Sequence, residues 1–412
     1  MSTVLPPSLP AFALFGGMLS VAGLPIYIFA PTFYAENYGV GLTAMAAVLF
    51  WLRLIDAVQD PIFGWLAERF DKNRSGWVSL GVLVLILSMM LLFAVPPRFT
   101  PLVWFAICMT TLFSSFSFLT INFYAQGIAA ASSLSGGHMQ MAAWRETGAL
   151  IGICLAAIAP GTIAVWFAKP MIGFVIGFAG IGLLATWAMR NQWSAFTERQ
   201  PSNFNVIWKD RNARRLLVLA FVNALPVAVS SSLFLFFVAH RLQAGSWAGP
   251  LLVLFFLSAA LSAPFWAGAA RRFGTRRVLL IAMINAVMIF GFCSFLGAGD
   301  VMFFAAVCIF SGASIGADLT LMPAAFAERL AFIAPNGGQG FGLWSLMNKM
   351  TLALAAIVLF PILELAGFDA TASEQTTEAL DTLMILYAVC PLILKLVSIV
   401  LLIKTPLQDD QI

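Results

Sequence analysis

The stretch of sequence that decides the fold reads Pro61-Ile-Phe-Gly-Trp-Leu-Ala-Glu-Arg69-Phe70-Asp-Lys-Asn-Arg74. A later stretch reads Pro264-Phe-Trp-Ala-Gly-Ala-Ala-Arg-Arg272-Phe273-Gly-Thr-Arg-Arg277. It repeats the proline, the phenylalanine and two arginines at one constant offset. Each stretch ends an apolar segment and begins a basic loop. The pairing indicates that the chain contains the same structural unit twice.

A second set of matches at almost the same offset supports this duplication. It pairs Gly136-Gly137 with Gly337-Gly338, Trp144 with Trp344, and Pro160 with Pro361. Single matches among common residues arise easily by chance. Two sets at nearly the same spacing indicate that the halves are repeats in parallel orientation.

The composition places these repeats in a membrane. Of the 412 residues, 61% are hydrophobic and 10% are charged, whereas a soluble domain carries about 25% charged residues. A single water-soluble core stops growing near ~250–300 residues, so this much apolar surface requires lipid around it. The sequence therefore predicts an all-α integral membrane protein.

Apolar runs between charged residues or Pro/Gly breaks define the predicted membrane spans. A bilayer core of ~30 Å needs ~20 apolar residues in a helix. Twelve runs are close to this length: Leu9–Tyr34, Leu42–Leu66, Trp77–Val95, Leu102–Ala130, Ala142–Ala164, Met171–Met189, Leu216–Val238, Pro250–Ala270, Val278–Leu296, Val301–Phe326, Phe341–Leu365 and Leu380–Ile403.

The basic residues are distributed unevenly over the loops between these spans. Loops on the side of both termini hold most of the 22 Lys and Arg residues, whereas the opposite loops hold only Arg98, Lys169 and Arg241. Since basic loops stay in the cytoplasm, we expect both termini to be cytoplasmic. The short loops favour a bacterial inner (cytoplasmic) membrane. Residues 1–8 do not resemble a signal peptide, so we expect the first span to be retained.

The longest inside loop divides the predicted spans into six and six. We expect a first bundle at 1–190, a cytoplasmic linker at 191–215 and a second bundle at 216–412. This is the layout of major facilitator transporters, which bind solute near the midplane between parallel repeats. The predicted fold is therefore a twelve-helix major facilitator fold with two pseudo-symmetric bundles.

The second predicted span carries three charges on one face. Arg53, Asp56 and Asp60 are spaced three and four residues apart, so they share one side of a helix with Gln59 at its edge. A charge at the bilayer centre costs at least ~2.5–3.5 kcal/mol on insertion scales. Two carboxylates one turn apart need a cation between them, and Na⁺ or a shared proton would serve. A cation or proton site is the leading interpretation; a structural ion-pair network is the alternative.

The second half provides an internal comparison for this stripe of charges. The residues aligned with the stripe there are Phe256, Ala259 and Ala263. Since the fold builds the equivalent helix without charges, a folding requirement does not readily explain the stripe.

Further charges lie within other predicted spans. They are Arg145, Glu146, Asp318, Lys349 and Lys395. Arg145 and Lys349 either pair with the carboxylates of the second span or bind an anionic or polyhydroxyl solute. For Lys395 we expect a long side chain that reaches the inner membrane surface. For Asp318, a role in the functional site and a structural role are both open.

Polar and aromatic side chains in the first half are candidates for a solute cavity, because sugars stack on aromatic faces and hydrogen-bond to amides. The candidates are Tyr27, Gln59, Asn122, Tyr124, Gln126 and Trp144. The repeated arginines at the cytoplasmic side are interpreted as an inside gate or as positive-inside signals. These are Arg69, Arg74, Arg272 and Arg277.

The stretch Arg53-Leu-Ile-Asp56-Ala-Val-Gln-Asp60-Pro61-Ile-Phe-Gly64, with Gly23-Leu-Pro-Ile-Tyr27 before it, resembles one transporter family. This is the glycoside–pentoside–hexuronide:cation symporter family, the melibiose-permease-like branch of the major facilitator superfamily. Weaker likenesses extend the resemblance over the whole chain. They lie at Asn122-Phe-Tyr-Ala, Trp144-Arg-Glu, Gly316-Ala-Asp318 and near Lys349.

The resemblance implies that Asp56 and Asp60 bind the coupling cation and that Arg145 and Lys349 are charged partners at the cavity. Thr120 stands where the family's fourth helix has a further cation-site carboxylate, so Thr120 joins the predicted cation site. The first span has no acidic residue before Glu36 to match the family's sugar-binding acid. Eukaryotic relatives of the family move lysolipids, so an amphiphilic cargo stays open.

These observations predict a cation-coupled secondary symporter, driven by Na⁺ or H⁺, for a small polar solute such as a sugar or glycoside. The alternatives are a transporter of lysolipid or another amphiphile, and a non-transporting membrane scaffold or assembly factor. No HExxH motif and no ATP-binding Gly-x-x-x-x-Gly-Lys-Ser/Thr loop occurs, so we expect no enzymatic activity. We expect no cofactor, no metal beyond Na⁺, no nucleic-acid partner, and a functional monomer in the lipid bilayer.

Overall fold

The structure is a computed structural model in which the chain is helical. The residues that it describes are 7–24, 29–69, 73–167, 169–193, 203–368 and 375–407. These residues contain no β-strand.

The helices follow one another along the chain with short connections. The first part of the chain forms α1 (Leu9–Leu24), α2 (Ala30–Tyr38), α3 (Leu42–Arg69), α4 (Arg74–Phe93), α5 (Pro101–Ala131), α6 (Gly137–Ile163), α7 (Pro170–Met189) and α8 (Phe204–Lys209). The second part forms α9 (Arg211–Phe236), α10 (Ala248–Phe273), α11 (Thr275–Gly291), α12 (Val301–Ile333), α13 (Gly338–Leu365), α14 (Thr377–Met384) and α15 (Cys390–Lys404). A π-helical turn extends α9 over Phe237–Arg241, and another joins α14 to α15 over Ile385–Val389.

Within the described residues, ten helices are long and apolar enough to cross a membrane. Each of these ten matches one of the predicted spans to within a few residues at most ends. The two remaining predicted spans are the first and the second. The first corresponds to α1 and α2, which are separated by residues 25–28 outside the described part of the chain. The number twelve therefore stays a prediction.

The second predicted span corresponds to α3, which is 28 residues long. At ~1.5 Å per residue it exceeds the ~30 Å hydrocarbon core. It carries the charged residues Arg53, Asp56, Asp60, Glu68 and Arg69, and it is not one of the ten.

The end of the predicted linker is helical. The structure begins α9 at Arg211, earlier than the predicted start at Leu216. Asp210 caps this helix, because its side chain accepts a hydrogen bond from the backbone N–H of Ala213 at 2.7 Å. Local polar capping thus extends the helix beyond its apolar part.

The repeat seen in the sequence appears again in the helix boundaries. Pro61 lies inside α3 and Pro264 inside α10. Pro160 lies inside α6 and Pro361 inside α13. Equivalent helices therefore carry equivalent prolines, which is what an internal duplication requires.

The chain divides into two compact units. Unit 1 comprises Met1–Lys209 and Ala327–Leu346, and unit 2 comprises Asp210–Phe326 and Met347–Ile412. The end of α12 and the start of α13 thus belong to unit 1. The predicted division into 1–190, 191–215 and 216–412 stays a prediction.

Each unit has its own apolar core. In unit 1 the core includes buried aromatic side chains of α1 and α5, such as Phe12, Phe15 and Phe123. In unit 2 it includes Phe237 and Tyr387, whose rings stack with centroids 4.1 Å apart at the two π-helical turns.

Glycines set the distance between several helices of unit 1. A Cβ on Gly148 of α6 would lie 2.0 Å from the carbonyl oxygen of Ala13 in α1, and a Cβ on Gly152 would lie 2.3 Å from that of Gly17. A Cβ on Gly64 of α3 would lie 2.5 Å from the carbonyl oxygen of Gly338 in α13. Such backbone contact is typical of helix pairs in membranes.

Candidate functional site

The predicted carboxylates lie buried on one face of α3. Asp56 is 3% exposed and Asp60 is 0% exposed, while Arg53 is partly exposed. Pro61 follows Asp60 inside the helix. Proline has no backbone N–H, so the carbonyl of Ala57 loses its intrahelical donor. Carboxylate and carbonyl oxygens are thereby concentrated within about one turn of α3.

A polar face of α5 packs against this part of α3. The Ser117 hydroxyl donates to Asp56 Oδ1 at 2.7 Å, and Gln59 Nε2 donates to the same oxygen at 2.9 Å. The Ser114 hydroxyl donates to Gln59 Oε1 at 2.9 Å. Asp56 Oδ1 thus accepts two side-chain hydrogen bonds, one of them from α5.

Thr120 lies one turn beyond Ser117 on the same helix. Its hydroxyl is buried and makes no hydrogen bond to any described residue. Hydroxyl, amide and carboxylate oxygens are the hard ligands that alkali and alkaline-earth cations prefer. Hydrogen bonds join Asp56, Gln59 and Ser117, and such oxygens could hold a small cation or a proton. That Asp60 and Thr120 complete the site stays a prediction.

Ser114 and Ser117 are functional candidates that the sequence reasoning missed. The signal was present, because Ser114, Ser117 and Thr120 recur every three residues and so follow one face of α5. Small hydroxyl residues in an apolar helix carry neither a charge nor an aromatic ring, so those two features did not point to them.

A second cluster in unit 1 joins α5 and α6. Arg145 and Glu146 are 3% and 6% exposed, and Arg145 Nε lies 2.9 Å from Glu146 Oε1. The Tyr124 hydroxyl donates to the same Glu146 oxygen at 2.9 Å. The Arg145 guanidinium lies 3.6 Å from the centre of the Tyr124 ring. The structure thus brings three predicted site residues together and neutralises the arginine locally.

The predicted cavity residues Asn122 and Gln126 contact a predicted gate residue. Arg74 begins α4 and is only 3% exposed. Its Nη1 donates to Gln126 Oε1 at 2.9 Å, and its Nη2 donates to the Asn122 carbonyl oxygen at 2.7 Å. Its Nε donates to Asn122 Oδ1 at 3.3 Å. The two amide side chains therefore solvate a buried arginine in the interior of unit 1.

The other predicted site residues are spread over the chain. Trp144 is 43% exposed on α6, and Lys349 is partly buried on α13. Arg69 and Arg272 are exposed and lie over the rings of Trp65 and Phe273, and Arg277 is also exposed. Tyr27 lies outside the described residues.

The expectation that Lys395 reaches the membrane surface is wrong. Lys395 is 6% exposed in unit 2, where its ammonium pairs with Asp318 Oδ2. It also donates to Asn223 Oδ1 at 2.7 Å. Sequence alone predicted surface contact from side-chain length, whereas two acceptors on α9 and α12 hold the ammonium inside the bundle.

Unit 2 shows how the same helix pair packs without the charged stripe. Ala259 and Ala263 of α10, equivalent to Asp56 and Asp60, are both 0% exposed. A Cβ on Gly316 of α12 would lie 2.7 Å from the Ala259 carbonyl oxygen. In unit 2, direct backbone packing thus takes the place of the Ser117–Asp56 contact. The fold therefore packs this helix pair without needing the charged stripe.

Comparison with known proteins identifies the chain as a transporter. A family model described as MFS/sugar transport protein matches residues 11–409. The chain belongs to this family. As an MFS protein it is a multi-pass integral membrane transporter, and the resemblance to melibiose-permease-like symporters agrees with this assignment.

Solved structures share the fold of this MFS transporter. A crystal structure of a bacterial homologue of the iron transporter ferroportin in the outward-facing state is 15% identical. It has a TM-score of 0.70 and covers 97% of this chain and 99% of that chain. A crystal structure of a bacterial homologue of the iron transporter ferroportin in the outward-facing state with soaked iron is 14% identical, with a TM-score of 0.71 and the same coverage. Similarity at this identity concerns the fold alone. No curated protein sequence matches the chain.

Proposed function

We propose that this MFS transporter is a cation-coupled symporter that carries a small polar solute, of the sugar or glycoside class, with Na⁺ or H⁺. The observation that carries the proposal is the burial of Asp56 and Asp60, with Ser117 and Gln59 donating hydrogen bonds to Asp56. Buried intramembrane carboxylates are expensive and are typically functional. The neutral counterpart in unit 2 argues against a purely structural role.

The coupling follows from charge. Two carboxylates on one helical face repel each other, and each pays a desolvation penalty in an apolar surrounding. A bound Na⁺ or proton offsets both terms, so its binding favours the conformations that keep the site closed. Rocking of the two repeats would then alternate access to the solute, as in other transporters built from parallel repeats.

The Arg145–Glu146–Tyr124 cluster is the proposed point of solute recognition. Its guanidinium, carboxylate and phenol can exchange their internal hydrogen bonds for bonds to sugar hydroxyls, and the Tyr124 and Trp144 rings offer apolar faces for stacking. The cluster is already neutral overall, which suits an uncharged polyhydroxyl solute. On the positive-inside distribution we place the transporter in the cytoplasmic membrane with both termini inside.

The first test needs no knowledge of the solute. An ion that binds only the folded state raises thermal stability by mass action, so melting of the purified transporter is measured in Na⁺ and in K⁺ at equal ionic strength. We expect a Na⁺-specific or pH-dependent rise that is lost in Asp56→Asn and in Asp60→Asn.

Two serines of α5 provide a matched pair for this test. Ser117 donates to Asp56, whereas Ser115 donates to the backbone oxygen of Thr111 at 2.7 Å in its own helix. Ser117→Ala should weaken the ion effect by roughly tenfold in affinity, since a hydrogen bond to a charged group is worth ~1.5–3 kcal/mol. Ser115→Ala should leave it unchanged. Equal behaviour of all four variants and the wild type would refute the cation site.

Uptake into proteoliposomes then identifies the cargo. Sugars and glycosides are supplied under an inward Na⁺ or H⁺ gradient, with lysolipids as competitors. Gradient-driven sugar uptake supports the proposal. Competition by lysolipids without sugar uptake would assign an amphiphilic cargo, and absence of flux for every solute with a stably bound protein partner would favour a scaffold.

A further inference from the structure

Unit 2 contains a buried ion pair that the proposed symport site does not use. Asp318 of α12 is 8% exposed and Lys395 of α15 is 6% exposed. The ammonium also contacts Asn223 of α9, itself 6% exposed, at 2.7 Å. Three helices of one unit thus converge on a single positive charge with one carboxylate and one amide oxygen around it.

The carboxylate of this pair is only half satisfied. Lys395 binds Asp318 Oδ2, while the buried Oδ1 has no hydrogen-bond partner among the described residues. A structural ion pair in a low-dielectric interior is stabilising only when its remaining lone pairs are hydrogen-bonded. An unbonded carboxylate oxygen there indicates that water or a proton completes the site.

A cavity of about 80 Å³ adjoins the pair. Asp318 and Lys395 line it together with the hydroxyl residues Ser230 and Ser311, and the rest of the lining is mostly apolar. A buried water needs ~10–15 Å³ of such space and two to four polar partners, so the cavity has room for several waters next to the Asp318 and Lys395 side chains. The described residues that line it from α9, α10, α11, α12 and α15 include no other charged group.

The helices that hold the pair are locally irregular. Pro226 follows Asn223 by three residues in α9, and Pro391 precedes Lys395 by four residues in α15. Both prolines line the cavity. Each of these helices also contains or adjoins a π-helical turn, and such turns are frequent at functional sites. The two prolines lie about one helical turn from Asn223 and Lys395, where a change of charge would have to be accommodated.

We propose that the Asp318–Lys395 pair is a second, independent proton-binding site, located in unit 2 and hydrated through this cavity. A hydronium ion in the cavity transfers its proton to the Asp318 carboxylate. One O–H bond forms at the carboxylate, one breaks in the hydronium, and water remains. The net charge of the pair rises from zero to +1, with the ammonium still bound to Asn223 Oδ1.

The added charge gives the site a mechanical consequence. An ion pair that becomes a lone ammonium loses its Coulombic partner, and an unpaired charge is unstable in an apolar interior. Protonation therefore favours arrangements of α9, α12 and α15 that admit more water to Lys395. The site goes beyond the proposed symport, because its existence does not depend on Asp56, Asp60 or the solute.

Infrared difference spectroscopy tests the site on the full chain reconstituted in liposomes. Acidification should produce a carbonyl-stretch band of a protonated carboxyl group, and this band should shift when the medium is D₂O, since the cavity is hydrated. The component from Asp318 should be absent in Asp318→Asn. It should persist in an Asp56→Asn/Asp60→Asn double variant, so failure of the symport site and failure of this site are distinguishable.

Two further variants keep the test decisive if Asp318→Asn does not fold. Asp318→Glu retains a carboxyl group and should move the band to a different frequency. In Lys395→Met the band should be present already at neutral pH, because a buried carboxylate without its cation takes up a proton. Acid difference spectra of Asp318→Asn and Asp318→Glu that superimpose on the wild type would overturn the proposal.

Discussion

The contact between α1 and α6 allows a sharp test of how unit 1 is assembled, through the substitution Gly148→Ala. The added methyl would lie 2.0 Å from the carbonyl oxygen of Ala13 and 2.5 Å from its carbonyl carbon. Both are backbone atoms, so no side-chain rotation can relieve the clash. Carbon and oxygen atoms of neighbouring helices approach to ~3.3 Å at closest, so the helices must separate locally by about 1.3 Å.

The energetic effect follows from that separation. Overpacking a tight contact typically destabilises a protein by ~1–3 kcal/mol, and a rigid backbone contact belongs at the upper end. Alanine regains ~0.5–1 kcal/mol over glycine inside a helix. The net expectation is a loss of about 2 kcal/mol in the free energy of unfolding. Because Arg145 precedes Gly148 by three residues, the same displacement should disturb its contacts with Glu146 and Tyr124.

Thermal unfolding in detergent, followed by intrinsic tryptophan fluorescence, measures this effect. Gly161→Ala is the matched control, because it lies in the same helix and an added Cβ there would meet nothing within 4 Å. The control should melt at or slightly above the wild-type temperature, whereas Gly148→Ala should melt clearly below it. A Gly148→Ala variant as stable as the control would refute the close packing of α1 against α6.

Three further substitutions test contacts described above. Gln126→Leu removes one charge-assisted hydrogen bond from the buried Arg74, and a loss of ~1.5–3 kcal/mol in unfolding free energy is expected; unchanged stability in denaturant titration would contradict the contact. Glu68→Gln keeps an acceptor for the backbone N–H of Gln339, bonded at 2.9 Å at the start of α13, but removes the charge that favours this helix end. A fall in melting temperature equivalent to ~1 kcal/mol is expected. The difference in melting temperature from the wild type should be nearly the same at high salt, because Glu68 is buried. Tyr34→Phe deletes a hydrogen bond to a carbonyl oxygen of α4 from a fully buried ring. It should cost ~1 kcal/mol, and an increase in stability would show that the bond is not formed.

The spans and the carboxylate stripe could be predicted from sequence because each depends on local spacing. Apolar run length fixes the membrane helices, and spacing by three and four fixes the shared face of Asp56 and Asp60. Burial of both carboxylates follows from the same two facts. The residues of α5 that face the stripe could not be predicted from charges, because they carry none. The recurrence of Ser114, Ser117 and Thr120 every three residues was the available signal.

Other features depended on contacts far apart in the chain. The partners of Arg74 lie on α5, and those of Lys395 lie on α9 and α12, so local sequence gave no reason to bury either charge. The assignment of each charge to its partner required coordinates, because several acids and bases were available to each.

The membership of residues 327–346 in unit 1 bears on the order in which the protein matures during synthesis. Gly64 and Glu68 of α3 obtain their contacts from Gly338 and Gln339, which leave the ribosome only after most of unit 2. Until then the face of α3 that carries Glu68 has neither its helix neighbour nor its backbone donor. A ribosome-stalled chain that ends at Lys209 should therefore expose this face to protease and to membrane insertase factors, and it should lose that exposure once Leu346 has emerged.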